Sequence, residues 1–191
     1  MNVPTVGQKR LVIVGATGMV GGYALRCALD HPAVGTATAI GRKPTGLSHP
    51  KLNEVLHQDF ADCSALAGAL SGQDAAVFCL GAYTGAVADA ELRRITVDYT
   101  IEFGRVLRGS SPNATFVFLS AGGADPTGRS RMAYARYKGE AEKALARQDF
   151  PACTSSAPRT STLCSRVENP ISAIAYCGRS IRHFGCCSPT R

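Results

Sequence analysis

The chain has 191 residues, 45% of them hydrophobic and 18% charged, which suits one globular domain with a buried core. Its mean hydropathy is zero, and because it has no apolar run of about 18 residues we expect no membrane span. The net charge of +7 would suit a nucleic-acid binder. The basic residues are dispersed and no aromatic residues interleave with them, so we expect no nucleic-acid partner.

The N-terminus and the cysteines bear on cellular location. The first ten residues, MNVPTVGQKR, lack the charged-then-apolar order of a secretory signal, so we expect the cytoplasm. Most of the eight cysteines follow residue 150, without the close pairs that a zinc site requires. The sequence therefore predicts no metal site, and in the cytoplasm no structural disulfide.

Apolar, β-branched runs alternate with helical patterns over the first 150 residues. Strands are predicted at 10–16, 36–42, around 54–57, 74–81 and 114–123, and helices at 17–32, 61–72, 89–111 and 130–148. Parallel strands that are apolar throughout must be covered on both faces. The sequence therefore predicts an α/β fold, a doubly wound parallel sheet of Rossmann type, in one domain over residues 1–150.

A G-x-x-G-x-x-G loop joins the first predicted strand to the first predicted helix. Gly15 permits a tight turn, Gly18 lets the backbone approach a pyrophosphate, and Gly21 lets the helix pack close to the strand. The amino end of the helix then offers free N–H groups to phosphate charge. This context favours a dinucleotide site. A plain tight turn between strand and helix is the alternative.

The second predicted strand ends in Arg42 and Lys43, where an NAD site usually has an acid for the ribose hydroxyls. Two cations at this position attract the 2′-phosphate that distinguishes NADP from NAD. The sequence therefore predicts NADP(H) as the cofactor. The alternative is a solvated basic turn.

Two further segments follow predicted strands and could contact a bound dinucleotide. Asp59 and Phe60 follow the third strand and could flank the adenine, or else form a surface loop. Leu80, Gly81 and Ala82 follow the fourth strand and could let the nicotinamide half approach the backbone.

The catalytic candidates lie on the fifth strand and the helix after it. Ser120 ends the strand, and Tyr134 and Lys138 are four residues apart on one helix face. A Lys ammonium stabilises a neighbouring phenolate, so Tyr134 could exchange a proton with a carbonyl oxygen to which Ser120 hydrogen-bonds. The alternative is a solvated Tyr/Lys pair. Tyr137 is expected to serve packing.

Four segments together carry a family resemblance: GATGMVGG, IGRKP, FLSAGGAD and YARYKGEAE. The chain resembles the short-chain dehydrogenase/reductase superfamily, in its atypical or extended branch, and within it the Tat-interacting-protein type of oxidoreductase. The resemblance covers roughly residues 10–147. It implies that Ser120, Tyr134 and Lys138 are catalytic, and that NADPH is held by Gly15, Thr17, Gly18, Met19, Val20, Arg42 and Lys43.

Two functions follow as hypotheses. The first is an NADPH-dependent oxidoreductase acting on a carbonyl or alcohol as its small-molecule substrate. The second is a regulatory protein that binds NADPH and a protein partner without turnover, because members of the resembled branch are also described as regulators.

The last 41 residues, 151–191, read differently from the rest. A sixth strand should follow the helix that ends near Arg147, but the sequence turns to Ser, Thr, Arg, Pro and Cys without periodicity. We therefore expect a sheet truncated after the fifth strand and its helix, followed by an irregular tail.

A shifted reading frame would explain this change. In such a frame the codons of residues 153–163 permit an apolar strand that ends in the Arg-Pro-x-x-Ile-Tyr segment expected by the resemblance. Our hypothesis is that the chain is out of frame from about Ala152. A genuine disordered tail is the alternative.

Overall fold

The computed structural model describes residues 8–151 and 153–156, and within them the strands form one parallel sheet. The strand order is β3-β2-β1-β4-β5-β6, which is the doubly wound arrangement. The predicted α/β fold is confirmed. The strands are β1 (Lys9–Val14), β2 (Val34–Gly41), β3 (Leu52–Leu56), β4 (Ala75–Phe78), β5 (Thr115–Leu119) and β6 (Cys153–Ser156).

The helices are α1 (Met19–Asp30), α2 (Ala67–Leu70), α3 (Asp89–Arg93), α4 (Tyr99–Ser110) and α5 (Ala133–Leu145). The single helix predicted over 89–111 is wrong in one respect, because a π-helical turn, Arg94–Asp98, separates α3 from α4. This turn contains the β-branched run Ile95-Thr96-Val97, which crowds a regular helix. The Thr100 hydroxyl also donates to the Thr96 carbonyl at 2.8 Å.

Each strand of the sheet centre buries side chains on both faces. In β1, Leu11 and Ile13 pack on the face covered by α1, whereas Val12 and Val14 pack on the opposite face. That opposite face also receives α2, α4 and α5. Strands β2 and β3 are added on one side of β1, and strands β4 to β6 are added on its other side. Right-handed crossovers therefore place helices on both faces of the sheet.

The carboxyl ends of β1 and β4 lie side by side at the point where the direction of winding reverses. This is the crevice in which open α/β sheets bind their ligands. The Cys79 N–H donates to the Val14 carbonyl at 3.0 Å, which ties the end of β4 to the end of β1. The fold therefore brings the predicted glycine loop next to the segment that follows β4.

A short sixth strand corrects the expectation that the sheet stops after β5. Cys153–Ser156 pairs in parallel with β5, in a register that runs from Phe116 opposite Cys153 to Leu119 opposite Ser156. These four residues have no apolar pattern, but strand pairing uses backbone N–H and C=O groups, which a polar edge segment supplies equally well. The sheet thus includes four residues of the segment that was expected to be irregular.

Phe150, which directly precedes the predicted tail, packs against the domain core. Its ring lies 5.2 Å from the ring of Phe116 and packs against the buried cluster on the α4 face. The rest of the proposed out-of-frame segment, residues 157–191, lies outside the described residues, so that hypothesis stays a prediction. Within the described residues, no helix is long and apolar enough to cross a membrane.

Candidate functional site

The glycine loop is held against the ends of three strands. Gly15 has a φ of +81°, a conformation that favours glycine, and its N–H donates to the Ile40 carbonyl at 3.2 Å. A Cβ added at Gly15 would stand 3.0 Å from the carbonyl carbon and oxygen of Cys79. The first glycine is therefore required both by the turn and by the close approach of β4.

The other two glycines of the loop shape the start of α1. A Cβ at Gly21 would overlap the carbonyl of Gly15, so only glycine lets α1 pack this close to the loop. Gly18 donates its N–H to the Gly15 carbonyl at 3.0 Å and is the N-cap of α1, without a capping side chain. Thr17, Gly18 and Met19 are exposed, and Val20 is half-buried.

This loop fits the phosphate groups of a dinucleotide. The first turn of α1 has no capping hydrogen bond from a side chain and contains no acidic residue. Its N–H groups and the positive end of the helix dipole therefore face open space above an exposed Gly18. These features are what a bound pyrophosphate requires.

Arg42 and Lys43 directly follow β2, and both side chains are exposed. Lys43 lines a shallow groove together with Thr17, Gly41, Thr45 and Glu54. Among the described residues, neither Arg42 nor Lys43 is in an ion pair. The two cations are thus available to an anionic ligand next to the glycine loop.

Glu54 organises the far side of this groove, which sequence reasoning missed. Its carboxylate accepts hydrogen bonds from the Thr45 N–H at 2.7 Å and the Thr45 hydroxyl at 2.6 Å. These bonds, the hydroxyl first, lower the pKa of Glu54. Glu54 therefore anchors the end of the turn that carries Arg42 and Lys43.

Asp59 and Phe60 are placed differently from one another. The Phe60 ring is in the core, edge-on to His57 at 5.0 Å, so its side chain cannot flank an adenine and only its backbone could line a pocket. Asp59 is exposed and accepts a hydrogen bond from the Ala61 N–H at 2.9 Å. The surface-loop alternative thus fits Asp59 and not Phe60.

Leu80, Gly81 and Ala82 leave β4 at the sheet edge where Gly15 lies. Leu80 is half-buried against the core, and Ala82 packs against a small cluster that includes Tyr137. Gly81 is exposed, and a Cβ there would meet nothing within 4 Å. Open space above Gly81 is compatible with the predicted approach of a cofactor to this backbone.

Ser120 is buried at the carboxyl end of β5, with a relative exposure of 5%. Its Oγ has no hydrogen-bond partner among the described residues, although a buried hydroxyl without a partner is costly. A ligand oxygen within reach would satisfy it. This is the observation in the site that most directly indicates a substrate.

Lys138 reaches from α5 to the same strand end. Its Nζ donates to the Leu119 carbonyl at 2.6 Å and lies 4.4 Å from the centre of the Phe118 ring. Burial lowers the pKa of Lys138 to about 8, opposed by the neighbouring Cys79 and Glu142. The structure thereby brings Lys138 within one residue of Ser120.

Tyr134 and Tyr137 have different surroundings on α5. Tyr134 is half-buried and packs against the cluster of Leu92, Val97 and Tyr137. The Tyr137 hydroxyl donates to the Asp89 carboxylate at 2.6 Å, and its ring is largely buried. Tyr137 therefore fastens α5 to the start of α3, in line with the packing role predicted for it.

Cys79 is a second residue of the site that sequence reasoning missed. Burial raises the pKa of its thiol to about 11, and the nearby Lys138 opposes this rise. The only available signal was its position at the end of β4. Cys79 thus lies close enough to Lys138 for the two groups to influence each other's pKa.

Curated proteins similar to this chain include two fungal relatives. Protein fmp52, mitochondrial, of Aspergillus clavatus is 32% identical over 141 residues, covering 71% of this chain and 59% of the relative. The protein of the same name from Aspergillus fumigatus is 27% identical over 142 residues, with the same coverage. The chain thus spans about three-fifths of the length of these relatives.

Similar solved structures share the fold at low identity. WbmG of Bordetella bronchiseptica, in complex with NAD, has a TM-score of 0.63 and 18% identity, covering 81% of this chain and 54% of that chain. The putative carbonyl reductase Sniffer of Caenorhabditis elegans has a TM-score of 0.62 and 11% identity, covering 80% of this chain and 86% of that chain.

A short-chain dehydrogenase family protein of Francisella tularensis gives a TM-score of 0.60 at 15% identity, covering 81% of this chain and 70% of that chain. These likenesses show that the fold is the doubly wound Rossmann fold that these structures share. The sequence profile described as NAD(P)H-binding matches residues 15–151, from the glycine loop to the end of the helical layer. With a match over most of its length, the chain belongs to the NAD(P)H-binding family.

Proposed function

We propose that the protein is an NADPH-dependent oxidoreductase that acts on a carbonyl or alcohol substrate. The observation that carries the proposal is the buried Ser120 hydroxyl, which has no partner among the described residues and lies one residue from the Lys138 contact. It ends a strand at the same sheet edge as the glycine loop. A carbonyl oxygen bound there would accept the hydroxyl proton in a hydrogen bond.

The side chains divide the chemistry of carbonyl reduction. Ser120 orients the substrate oxygen by donating a hydrogen bond to it. Tyr134 donates its phenolic proton to that oxygen as the carbon–oxygen double bond becomes a single bond. Lys138, held in place by the Leu119 carbonyl, stabilises the resulting phenolate with its positive charge. The bound cofactor supplies the hydride that reaches the carbonyl carbon.

The preference for NADPH rests on the turn after β2. Arg42 and Lys43 are exposed, and Lys43 shares its groove with Thr17 of the glycine loop. A 2′-phosphate in that groove would be met by Lys43, with the exposed Arg42 next to it in the chain, whereas NADH has no phosphate there for either cation to bind. Gly15, Gly18 and Gly21, with Thr17, Met19 and Val20, would hold the pyrophosphate.

The proposal also includes contacts to the nicotinamide half and to the adenine of the cofactor. Leu80, Gly81 and Ala82 would line the nicotinamide half through their backbone. Asp59, and Phe60 through its backbone, would border the adenine.

Within the short-chain dehydrogenase/reductase superfamily, we propose that the chain belongs to the Tat-interacting-protein type of oxidoreductase.

The test is consumption of NADPH by the purified chain against a panel of aldehydes and ketones. We expect turnover with at least one member, and a loss of about 100-fold or more in kcat for Tyr134→Phe, because one general acid contributes roughly that factor. Tyr137→Phe is the matched control and should retain kcat. Equal turnover by Tyr134→Phe would contradict the mechanism, and NADPH binding without any turnover would favour a regulatory protein.

Cellular location is a separate proposal. The sequence favours the cytoplasm, whereas the fungal relatives carry the word mitochondrial in their names. We propose the cytoplasm on the sequence argument alone. Fractionation of cells that express the chain with a C-terminal tag tests it, and recovery in the mitochondrial fraction would contradict it.

A further inference from the structure

The connection between β5 and α5 is tied together by one carboxylate. We name residues 121–132 the β5–α5 loop. Asp125 Oδ1 accepts hydrogen bonds from the Thr127 N–H at 2.8 Å and the Thr127 hydroxyl at 2.6 Å. Its Oδ2 accepts one from the Ser130 N–H at 2.6 Å. The Asp125 side chain thus holds Thr127 and Ser130 together in one compact turn.

The same residue is also joined to α5 through its backbone. The Asp125 N–H donates to the Ala135 carbonyl at 2.8 Å. A Cβ added at Gly139 would overlap the carbonyl carbon and oxygen of Asp125. The absence of a side chain at Gly139 is therefore what allows the loop to lie directly on the helix.

The contact falls on the helical turn that carries the proposed catalytic pair. Ala135 directly follows Tyr134, and Gly139 directly follows Lys138. The other end of the loop leaves β5 at Ser120. Because the loop connects Ser120 to this turn, the position of Asp125 on the turn affects the distance between Ser120 and Tyr134.

A second contact ties the loop to α5. The Arg136 guanidinium donates to the Ser130 carbonyl at 2.8 Å, also across the loop–helix boundary. The hydrogen bonds to Asp125, that of the Thr127 side chain first, lower the pKa of its carboxyl group to about 2. The carboxylate therefore stays ionised over the whole neutral range and can accept these hydrogen bonds throughout it.

We propose that Asp125 and Gly139 form a clamp that sets the separation between Ser120 and the Tyr134–Lys138 turn. Both are positioning residues, since neither belongs to the groups assigned to substrate or cofactor. The inference rests on the proposed function, because it assigns a role to the spacing of those three side chains.

An ordinary loop turn is closed by local hydrogen bonds alone and does not also pack its backbone against a glycine of a helix. Asp62 makes a comparable local turn by accepting the Ser64 N–H at 2.9 Å, but in the described part of the chain its backbone is not among the nearest atoms to any glycine. Asp125 combines the local turn with direct backbone packing against α5. That second contact is the reason to assign positioning to Asp125 rather than loop closure alone.

The first arm of the experiment measures the clamp without requiring turnover. Amide hydrogen exchange is followed in the full-length chain, in Asp125→Asn and in Gly139→Ala. We expect exchange at Asp125, Thr127 and Ser130 to rise by about tenfold or more, the equivalent of one hydrogen bond. Asp62→Asn and Gly104→Ala are the controls, because a Cβ at Gly104 meets mainly flexible side chains.

The second arm tests positioning through a double-mutant cycle. Asp125→Asn and Gly139→Ala are each combined with Ser120→Ala, and kcat and KM are measured with a carbonyl substrate. We expect each clamp variant to lower kcat by about tenfold with Ser120 present and by less than about threefold without it, since coupled residues are not additive. The Kd for NADPH should stay within about twofold, because the glycine loop is on other elements.

The outcomes separate the two proposals. Unchanged exchange in both clamp variants would contradict the clamp, whether or not the chain turns over. Raised exchange with additive kinetic effects would show a clamp that does not position Ser120, and would overturn the inference while leaving the proposed function standing. Absence of turnover in the unmodified chain would instead contradict the proposed function, and the positioning role with it.

Discussion

The two ends of the candidate site are built by different means. The β1–α1–β2 region is formed by backbone: three glycines, one N-cap and a turn, with almost no side chain needed for its shape. The β5–α5 region is formed by side chains, with Ser120 buried, Lys138 bonded to Leu119, and Asp125 bonded to its own loop. The first region is proposed to bind the dinucleotide, and the second is proposed to carry the reaction.

This difference predicts how each region responds to substitution. A backbone-built site tolerates many side chains but not the addition of a Cβ where two segments touch. A side-chain-built site keeps its fold when one functional group is removed, because the surrounding core is unchanged. Substitutions of the glycines in the first region should therefore disturb binding and folding together, whereas removal of a functional group from Ser120 or Tyr134 in the second should disturb turnover alone.

The largest effect is expected from Gly21→Ala. The added Cβ overlaps the Gly15 carbonyl, so α1 must move away from the loop that receives the pyrophosphate. We expect the Kd for NADPH to rise by about 100-fold or more, with a clear loss of stability. Isothermal titration and thermal unfolding measure the two quantities. Gly109→Ala, where a Cβ meets nothing within 4 Å, should stabilise the chain instead.

Lys138→Met should remove activity and leave binding of the pyrophosphate intact. The methionine keeps much of the side-chain volume but loses the charge beside Ser120, so kcat should fall by about 100-fold. Steady-state kinetics measure this effect. Lys143→Met, on the exposed side of the same helix, is the control and should retain kcat. A retained kcat in Lys138→Met would contradict the proposal that the β5–α5 region carries the reaction.

Arg42→Ala should change which dinucleotide is preferred. Loss of one charge-assisted contact to the 2′-phosphate costs about 1.5–3 kcal/mol, which weakens NADPH by roughly tenfold or more and leaves NADH unaffected. The Kd values of both cofactors measure the ratio. Arg147→Ala, an exposed arginine beyond the end of α5, should leave it unchanged. An unaltered ratio in Arg42→Ala would contradict the preference for NADPH.

The smallest effect is a pH dependence of stability. Burial lowers the pKa of Lys138 from its ordinary 10.5 to about 8, so between these values the unfolded chain binds more protons than the folded chain. Stability must therefore rise with pH in that window. The unfolding free energy of the unmodified chain, relative to Lys138→Met, should rise by about 2 kcal/mol from pH 8 to pH 10 in denaturant titrations. A flat difference would show that Lys138 is not desolvated.

The sequence predicted the backbone-built region well because its signals are local. Gly15, Gly18 and Gly21 lie within seven residues, and their spacing requires one turn between one strand and one helix. Strand order and the placement of helices then followed from the alternation of elements and the handedness of crossovers.

The sequence predicted less where contacts are distant in the chain. The burial of Phe60 depends on α4, which comes much later in the sequence, and Cys79 packs against the cluster on the face covered by α1, which comes much earlier. The role of Asp125 depends on a glycine fourteen residues away on another element. Cys153–Ser156 forms a strand because β5 offers it an unpaired edge, which no pattern within those four residues reveals.

The most direct test of the central claim is transfer of deuterium from NADPH labelled at C4 of the nicotinamide. The full-length chain is incubated with labelled cofactor and a carbonyl substrate that it consumes, and the product is analysed by mass spectrometry. The account predicts one deuterium on the former carbonyl carbon, together with a loss of about 100-fold in the rate of labelled product for Tyr134→Phe. Oxidation of the cofactor without label in the product, or equal labelling rates by Tyr134→Phe, would contradict it.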